Sequence, residues 1–203
     1  MENEEILKIV QYFKNGKVGI FPTDTAFGIG CRMDDERAVK RVYSIRNRPE
    51  EKALLVLVSS VEMAEEYVFI NDEERHELIE KYWPGGLTVI LKCKKEKVLP
   101  IVRSNGETLA VRMPDHEVLR NIIKKVGVPI IAPSANFSGK QTPFKLSEID
   151  EKLKAKVDFI LPGMCTMKGV STIIDATVLP WRIVRQGVLV VNKQSLPLRG
   201  SDW

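Results

Sequence analysis

Val18-Gly19-Ile20-Phe21, running into Pro22-Thr23-Asp24-Thr25-Ala26-Phe27-Gly28-Ile29-Gly30, is the stretch on which the fold turns. An apolar run of strand length ends in a turn that gathers three small polar side chains and two glycines. In α/β proteins a ligand commonly sits at such a strand end, because loops held by a rigid sheet aim side chains and backbone N–H groups at one point. The same residues also suit a plain turn, in which Thr and Asp satisfy backbone groups and close the strand. The flanking segments have to decide between the two.

Upstream, residues 3–15 place Ile6, Ile9, Val10 and Phe13 at helical spacing, and Gly16 stops the helix. Downstream, Asp34 and Asp35 cap a helix through Ala38, Val39, Val42 and Tyr43 that ends in Arg46-Asn47-Arg48-Pro49, where Pro49 takes Arg48 out of helical geometry. Lys52 precedes an apolar run, 54–58, of the kind buried on both faces. Ser59 with Glu62, and Asn71 with Glu74, have capping-box spacing for helices through Tyr67 and Tyr82. Trp83-Pro84-Gly85-Gly86 breaks the second. Residues 87–91 and 108–112 then read as strands, with a solvated lysine-rich hairpin tip at 92–97. A helix over 117–126, stopped by Gly127, leads to a strand at 128–132. That strand ends in a second small polar cluster, Ser134-Ala135-Asn136-Phe137-Ser138-Gly139. A short helix over 147–157 and strands at 159–161, 171–175 and 181–191 complete the chain, the last interrupted at Arg185-Gln186-Gly187. The alternation predicts a single α/β domain over 1–203, core about 6–191 and tail 192–203, built on a mixed sheet.

A chain of 203 residues supports one substantial core, and 44% hydrophobic with 29% charged residues is ordinary for a soluble protein. No apolar run approaches the roughly 20 residues of a membrane span, and Met1-Glu2-Asn3-Glu4-Glu5 is unlike a signal peptide, so the expected setting is cytoplasmic. Three widely spaced cysteines and two histidines argue against a disulfide framework and a Cys/His zinc site. Residues for a protein-held metal are not apparent. The net charge of +4 suits an anionic ligand or RNA.

Hydroxyls and cations collect at the ends of the apolar runs: Thr23, Asp24 and Thr25; Arg46, Arg48 and Lys52; Arg112; Ser134 with Asn136; Ser171; Arg185. Cations grouped at one mouth imply a ligand with several negative charges, such as a nucleoside triphosphate. No G-x-x-x-x-G-K-[ST], G-x-G-x-x-G or kinase signature occurs, which excludes the common nucleotide folds.

Pro22-Thr23-Asp24-Thr25 with Phe27-Gly28-Ile29-Gly30, Arg46-x-Arg48-Pro49-x-x-Lys52, Trp83-Pro84-Gly85, Val111-Arg112-Met113-Pro114, Ser134-Ala135-Asn136-x-Ser138-Gly139 and Ser171-Thr172-Ile173-Ile174-Asp175 resemble, in that order, the YrdC-like family of threonylcarbamoyl-AMP synthases. The resemblance runs from about Val18 to Val188 and is closest to the short, single-domain members. It implies a twisted mixed sheet flanked by helices around a concave, basic cavity. It also implies a reaction in which L-threonine, bicarbonate and ATP, with Mg²⁺ on the triphosphate, give threonylcarbamoyl-AMP and pyrophosphate. The product serves threonylcarbamoyladenosine formation on tRNA by downstream transferase proteins, and members have also been associated with double-stranded RNA. Matched position by position, Thr25, Arg112 and Ser171 hold the amino acid. Arg48, Lys52, Thr108, Ser134, Asn136, Thr142 and Arg185 contact the nucleotide, and Arg46 takes the first basic position of the family's K-x-R motif. No residue stands out as nucleophile or general base, so Arg46, Arg48 and Lys52 would act by positioning and charge neutralisation.

The chain departs from the commoner family pattern at Phe27 (Tyr), Arg46 (Lys), Asn47 (Gly), Ala53 (Pro) and Gly86 (Pro), and has Leu57 where longer members often carry His. These departures keep a second class of function open, an RNA-binding module or a non-synthase paralogue. Thr23, Asp24 and Asn136 suit either turn closure or ligand contact. Asp175 is read as structural, His76 and His116 as surface residues, and Trp181 and Trp203 as packing groups.

Overall fold

The computed structural model describes residues 3–191; the tail 192–203, Trp203 included, lies outside the described residues. The elements are α1 (Asn3–Lys14), β1 (Gly19–Phe21), β2 (Gly28–Gly30), α2 (Glu36–Arg46), β3 (Leu55–Leu57), α3 (Val61–Glu65), α4 (Asp72–Glu74), α5 (Glu80–Tyr82), β4 (Leu87–Lys92), β5 (Thr108–Arg112), α6 (Glu117–Val126), β6 (Ile130–Ile131), α7 (Glu151–Lys154), β7 (Phe159–Ile160), β8 (Thr172–Asp175) and β9 (Arg182–Arg185).

The strands form two sheets, a three-stranded one in the order β2-β1-β7 and a six-stranded one in the order β6-β3-β5-β4-β8-β9. Both are mixed: β1 runs antiparallel to β2 and parallel to β7, while β3–β5 and β4–β8 are parallel pairs among antiparallel neighbours. The single sheet implied by the resemblance is therefore two, stitched together where β2 passes β6. Ile131 N–H donates to Cys31 O at 2.9 Å, Ile29 N–H to Pro133 O at 2.9 Å, and isolated bridges join Gly28 to Ser134 and Arg32 to Ile130.

That seam corrects the reading of the opening stretch. Gly28-Ile29-Gly30 is a strand paired with Phe21-Ile20-Gly19, and the turn is confined to residues 22–27. Gly30 is dictated by close approach, since a Cβ there would lie 1.7 Å from the Ile131 carbonyl oxygen.

The helices follow local rules. Asp35 caps α2 by accepting from Ala38 N–H at 3.0 Å, and Asn47 ends it in the left-handed region at φ 50°. Gly127, at φ 86°, closes α6 as expected. The Asn71–Glu74 capping box forms at both bonds, but the helix it opens is interrupted by a π-helical stretch, Arg75–Ile79. Ser60, not Ser59, caps α3, accepting from Met63 N–H at 3.2 Å. The helix expected at 147–157 shrinks to a 3₁₀ turn, Leu146–Glu148, and α7. Residues 187–191 form no strand, because Gly187 and Val188 donate backbone N–H groups sideways to Thr172 Oγ1 and Val170 O, at 2.9 Å each. α1 and α6 pack on one another through Ile6, Ile9, Val10, Phe13, Leu119, Ile122 and Ile123, beside Phe21 and Leu57. This anchors the strand that carries the opening turn.

Candidate functional site

One face of the six-stranded sheet supplies the floor of a cavity of about 310 Å³. Period-two alternation brings Leu55 and Leu57 of β3, Ala110 and Arg112 of β5, Thr88 and Ile90 of β4, and Ile173 of β8 to the same side. The walls are the 22–27 turn, the end of α2 with its following loop, the segment after β6, Thr142, Ser171 and β9. Four arginines, Arg46, Arg48, Arg112 and Arg185, line this space, and no carboxylate among the described residues does.

Arg112 is the most tightly held of the four. Its Nε donates to Gly85 O at 2.8 Å, Nη1 to Thr25 Oγ1 at 2.5 Å and Nη2 to Asp24 Oδ1, in an ion pair whose side chains are 3% and 0% exposed. Burial pushes its pKa down, Asp24 opposes that, and nearby Arg185 adds to it. Thr23 performs the turn's own closure: its hydroxyl accepts from Thr25 N–H and Ala26 N–H at 3.1 Å and donates to Ala26 O at 2.7 Å.

Ser171 is pinned from two sides. Arg185 donates through Nη2 to its Oγ and through Nε to its O, both at 3.0 Å, while Thr88 and Ser171 share a 2.8 Å hydroxyl contact. Sequence reasoning missed Thr88, although a hydroxyl inside the apolar run 87–91 was the available signal. It also gave no hint of the Asp24–Arg112 pair, because nothing in a sequence joins positions so far apart.

Arg46 is 3% exposed yet faces no carboxylate among the described residues. Its Nε donates to Asn136 O at 3.0 Å, Nη2 stands 3.5 Å from Ser134 Oγ, and Nη1 is buried without a partner among the described residues. Burial first and Arg48 second push its pKa down to about 10. Arg48 straps its own loop, donating to Lys52 O at 3.3 Å and Ala53 O at 2.9 Å.

Of the residues expected at the site, Thr25, Arg46, Arg48, Arg112, Ser134, Thr142, Ser171 and Arg185 line the cavity. Lys52, Thr108 and Asn136 do not. Lys52 lies on the exposed loop after α2, Thr108 is the half-buried first residue of β5, and the Asn136 amide donates to Phe137 O and Lys140 O, closing the loop that carries Ser134. Asp175 orders the β8–β9 turn through Thr177 and Arg182. His116 is not a free surface residue: its Nδ1 accepts from Leu119 N–H at 3.3 Å and caps α6. Cys31, Cys93 and Cys165 are free and buried, and burial pushes the Cys165 thiol up to about 11. Among the described residues no group of three or more His, Cys, Asp or Glu side chains is gathered to hold a metal. No helix among them is long and apolar enough to cross a membrane.

The structure is thus an α/β fold with an arginine- and hydroxyl-lined cavity over one face of its six-stranded sheet. Residues 11–187 match the Sua5/YciO/YrdC family, whose description reads "Telomere recombination", and the chain belongs to that family. It is 39% identical over 184 residues to the threonylcarbamoyl-AMP synthase of Pyrococcus abyssi, covering 90% of this chain and 54% of the relative. It is 35% identical to a putative threonylcarbamoyl-AMP synthase of Methanocaldococcus jannaschii, covering 95% and 92%. Among solved structures, P. abyssi Sua5 complexed with L-threonine superposes with a TM-score of 0.86 at 34% identity, over 92% of this chain and 55% of that one. The chain thus spans about half the length of the P. abyssi protein.

Proposed function

We propose that the chain is an L-threonylcarbamoyladenylate synthase, which makes threonylcarbamoyl-AMP and pyrophosphate from L-threonine, bicarbonate and ATP. The product would feed threonylcarbamoyladenosine formation on tRNA through downstream transferase proteins in the cytoplasm. The observation that carries this reading is the lining of the cavity, where arginines meet hydroxyls with no carboxylate among the described residues. Such a space favours a polyanion, and the P. abyssi structure with L-threonine supports the amino acid as its second occupant.

In this reading the threonine carboxylate meets Arg112 and Ser171, and Thr25 meets the same ligand. Each Nη of Arg112 keeps one N–H beyond those given to Thr25 and Asp24. The triphosphate lies against Arg46, Arg48 and Arg185, with Ser134 and Thr142 offering hydroxyls. Lys52 approaches from its exposed loop, Thr108 acts from beyond the lining, and Asn136 acts by shaping the loop beneath Ser134. The unpartnered Nη1 of Arg46 suits a phosphate oxygen, because a buried N–H without an acceptor is costly until one arrives.

The chemistry is two displacements. The threonine amine adds to bicarbonate with loss of water, giving a carbamate. A carbamate oxygen then attacks the α-phosphorus, that bond forms, and the bond to the leaving pyrophosphate breaks. The protein aligns the reactants and offsets charge on the leaving group. Mg²⁺ enters as the ion of ATP, and the described lining offers it no carboxylate.

Calorimetry with a non-hydrolysable ATP analogue and threonine, separately and together, tests the reading. Each ligand should tighten the other. RNA binding with no response to either small molecule would instead make the chain a binding module, its affinity falling steeply with salt.

A further inference from the structure

The turn between β1 and β2 holds one side chain that the turn does not use. Thr23 closes it, accepting two backbone N–H groups and donating to Ala26 O. Asp24, by contrast, makes no side-chain bond to its own turn and spends one oxygen on Arg112 Nη2. Its other oxygen, Oδ2, is buried without a partner among the described residues. Asp24 does not line the cavity, whereas Arg112 and Thr25 do. The carboxylate is therefore outside the lining, buried against the guanidinium. Its backbone is fixed as well, since Asp24 O accepts from Met167 N–H at 2.7 Å.

A buried ion pair of this kind is poor evidence for a stability role, because well-packed apolar residues often serve as well or better. What it does provide is direction. Gly85 O, Thr25 Oγ1 and Asp24 Oδ1 take one donor from each of the three guanidinium nitrogens, which fixes the plane of the fork. Resting on the reading of the cavity as a threonine site, we infer that Asp24 is a positioning residue. It acts through Arg112 and aims the two remaining N–H groups at the ligand's carboxylate. The competing geometry, in which Asp24 occupies the fork in place of that carboxylate and must be displaced, predicts the opposite effect of removing it.

The test is calorimetry on the full chain and its Asp24→Asn variant with three probes: L-threonine, L-threoninamide, which lacks the carboxylate, and a non-hydrolysable ATP analogue. Threonine affinity should fall at least about tenfold, the scale on which a misaimed contact shows. Affinity for threoninamide and for the nucleotide should change by less than about threefold. A merely structural role would weaken all three together, and tighter threonine binding would establish displacement; either result overturns the assignment. If Asp24→Asn does not fold, Asp24→Glu is read in its place, with the charge kept and the aim altered. Failure of both makes the pair a requirement of the fold and likewise overturns it. Wild-type protein that binds the nucleotide but not threonine would overturn the threonine-site reading itself. Threonine binding that D24N leaves intact would overturn only the role given to Asp24.

Discussion

Arg46 and Thr25 show what a single side chain is asked to do at this site. Arg46 is buried with a spare N–H and a pKa pushed down to about 10, so its charge is held at a loss that an anionic ligand would offset. Arg46→Met should remove that loss together with the bonds to Asn136 and Ser134. The melting temperature is then expected to stay within about 5 °C while nucleotide affinity drops at least about tenfold. A large fall in melting temperature with unchanged affinity would make Arg46 a loop anchor. Thr25→Ala removes the hydroxyl that Arg112 Nη1 meets at 2.5 Å. It should weaken threonine binding by about 1.4 kcal/mol, roughly tenfold, and leave the nucleotide nearly unaffected. Equal losses in titrations of the two ligands would remove Thr25 from the proposed amino acid site. At this scale the sequence was informative about residue types and silent about partners. The small polar clusters and cations were visible at strand ends, but which of Thr23, Asp24 and Thr25 closes the turn depends on an arginine in β5.

Among the elements, α6 and the β2–β6 seam carry the clearest consequences. His116 caps α6 only as a neutral acceptor, and burial holds its pKa below the ordinary 6.5. The folded state therefore binds its proton less readily than the unfolded chain. The cap's contribution is complete above pH 6.5 and declines as pH falls through the lowered value. Thermal melts between pH 7.5 and about 5 should show this decline in the wild type, and a flatter profile in His116→Asn, which caps without titrating. Parallel profiles would place the acid sensitivity elsewhere. In the seam, Gly30→Ala sets a methyl against the Ile131 carbonyl oxygen and should cost about 3 kcal/mol in denaturant unfolding. A loss under about 1 kcal/mol would mean that β2 can move away from β6. Helices with strong end signals, such as α2 and α6, were legible from caps and glycines. The Gly28–Gly30 strand was not, because two glycines in three residues read as a turn until the close approach of Ile131 is known. Nor was the end of β9, which stops where Thr172 and Val170 take its backbone donors sideways.

At the scale of the whole molecule, the alternation of strands and helices fixed the α/β class. The order of the short motifs pointed to one cavity, into which most of the expected residues fall. The split into two sheets escaped sequence reading, since strand pairing across the molecule leaves no local mark. The architecture gives the cavity a sheet floor that is apolar apart from Arg112 and Thr88, and walls that carry Arg46, Arg48 and Arg185. In the proposed reaction this space joins threonine, bicarbonate and ATP. The most direct measurement is pyrophosphate release by the purified chain supplied with ATP, Mg²⁺ and bicarbonate, with and without L-threonine. Release well above the no-threonine control is expected, with threonylcarbamoyl-AMP appearing in equal amount. Release that is the same with and without threonine, from a chain that binds the nucleotide, would contradict it.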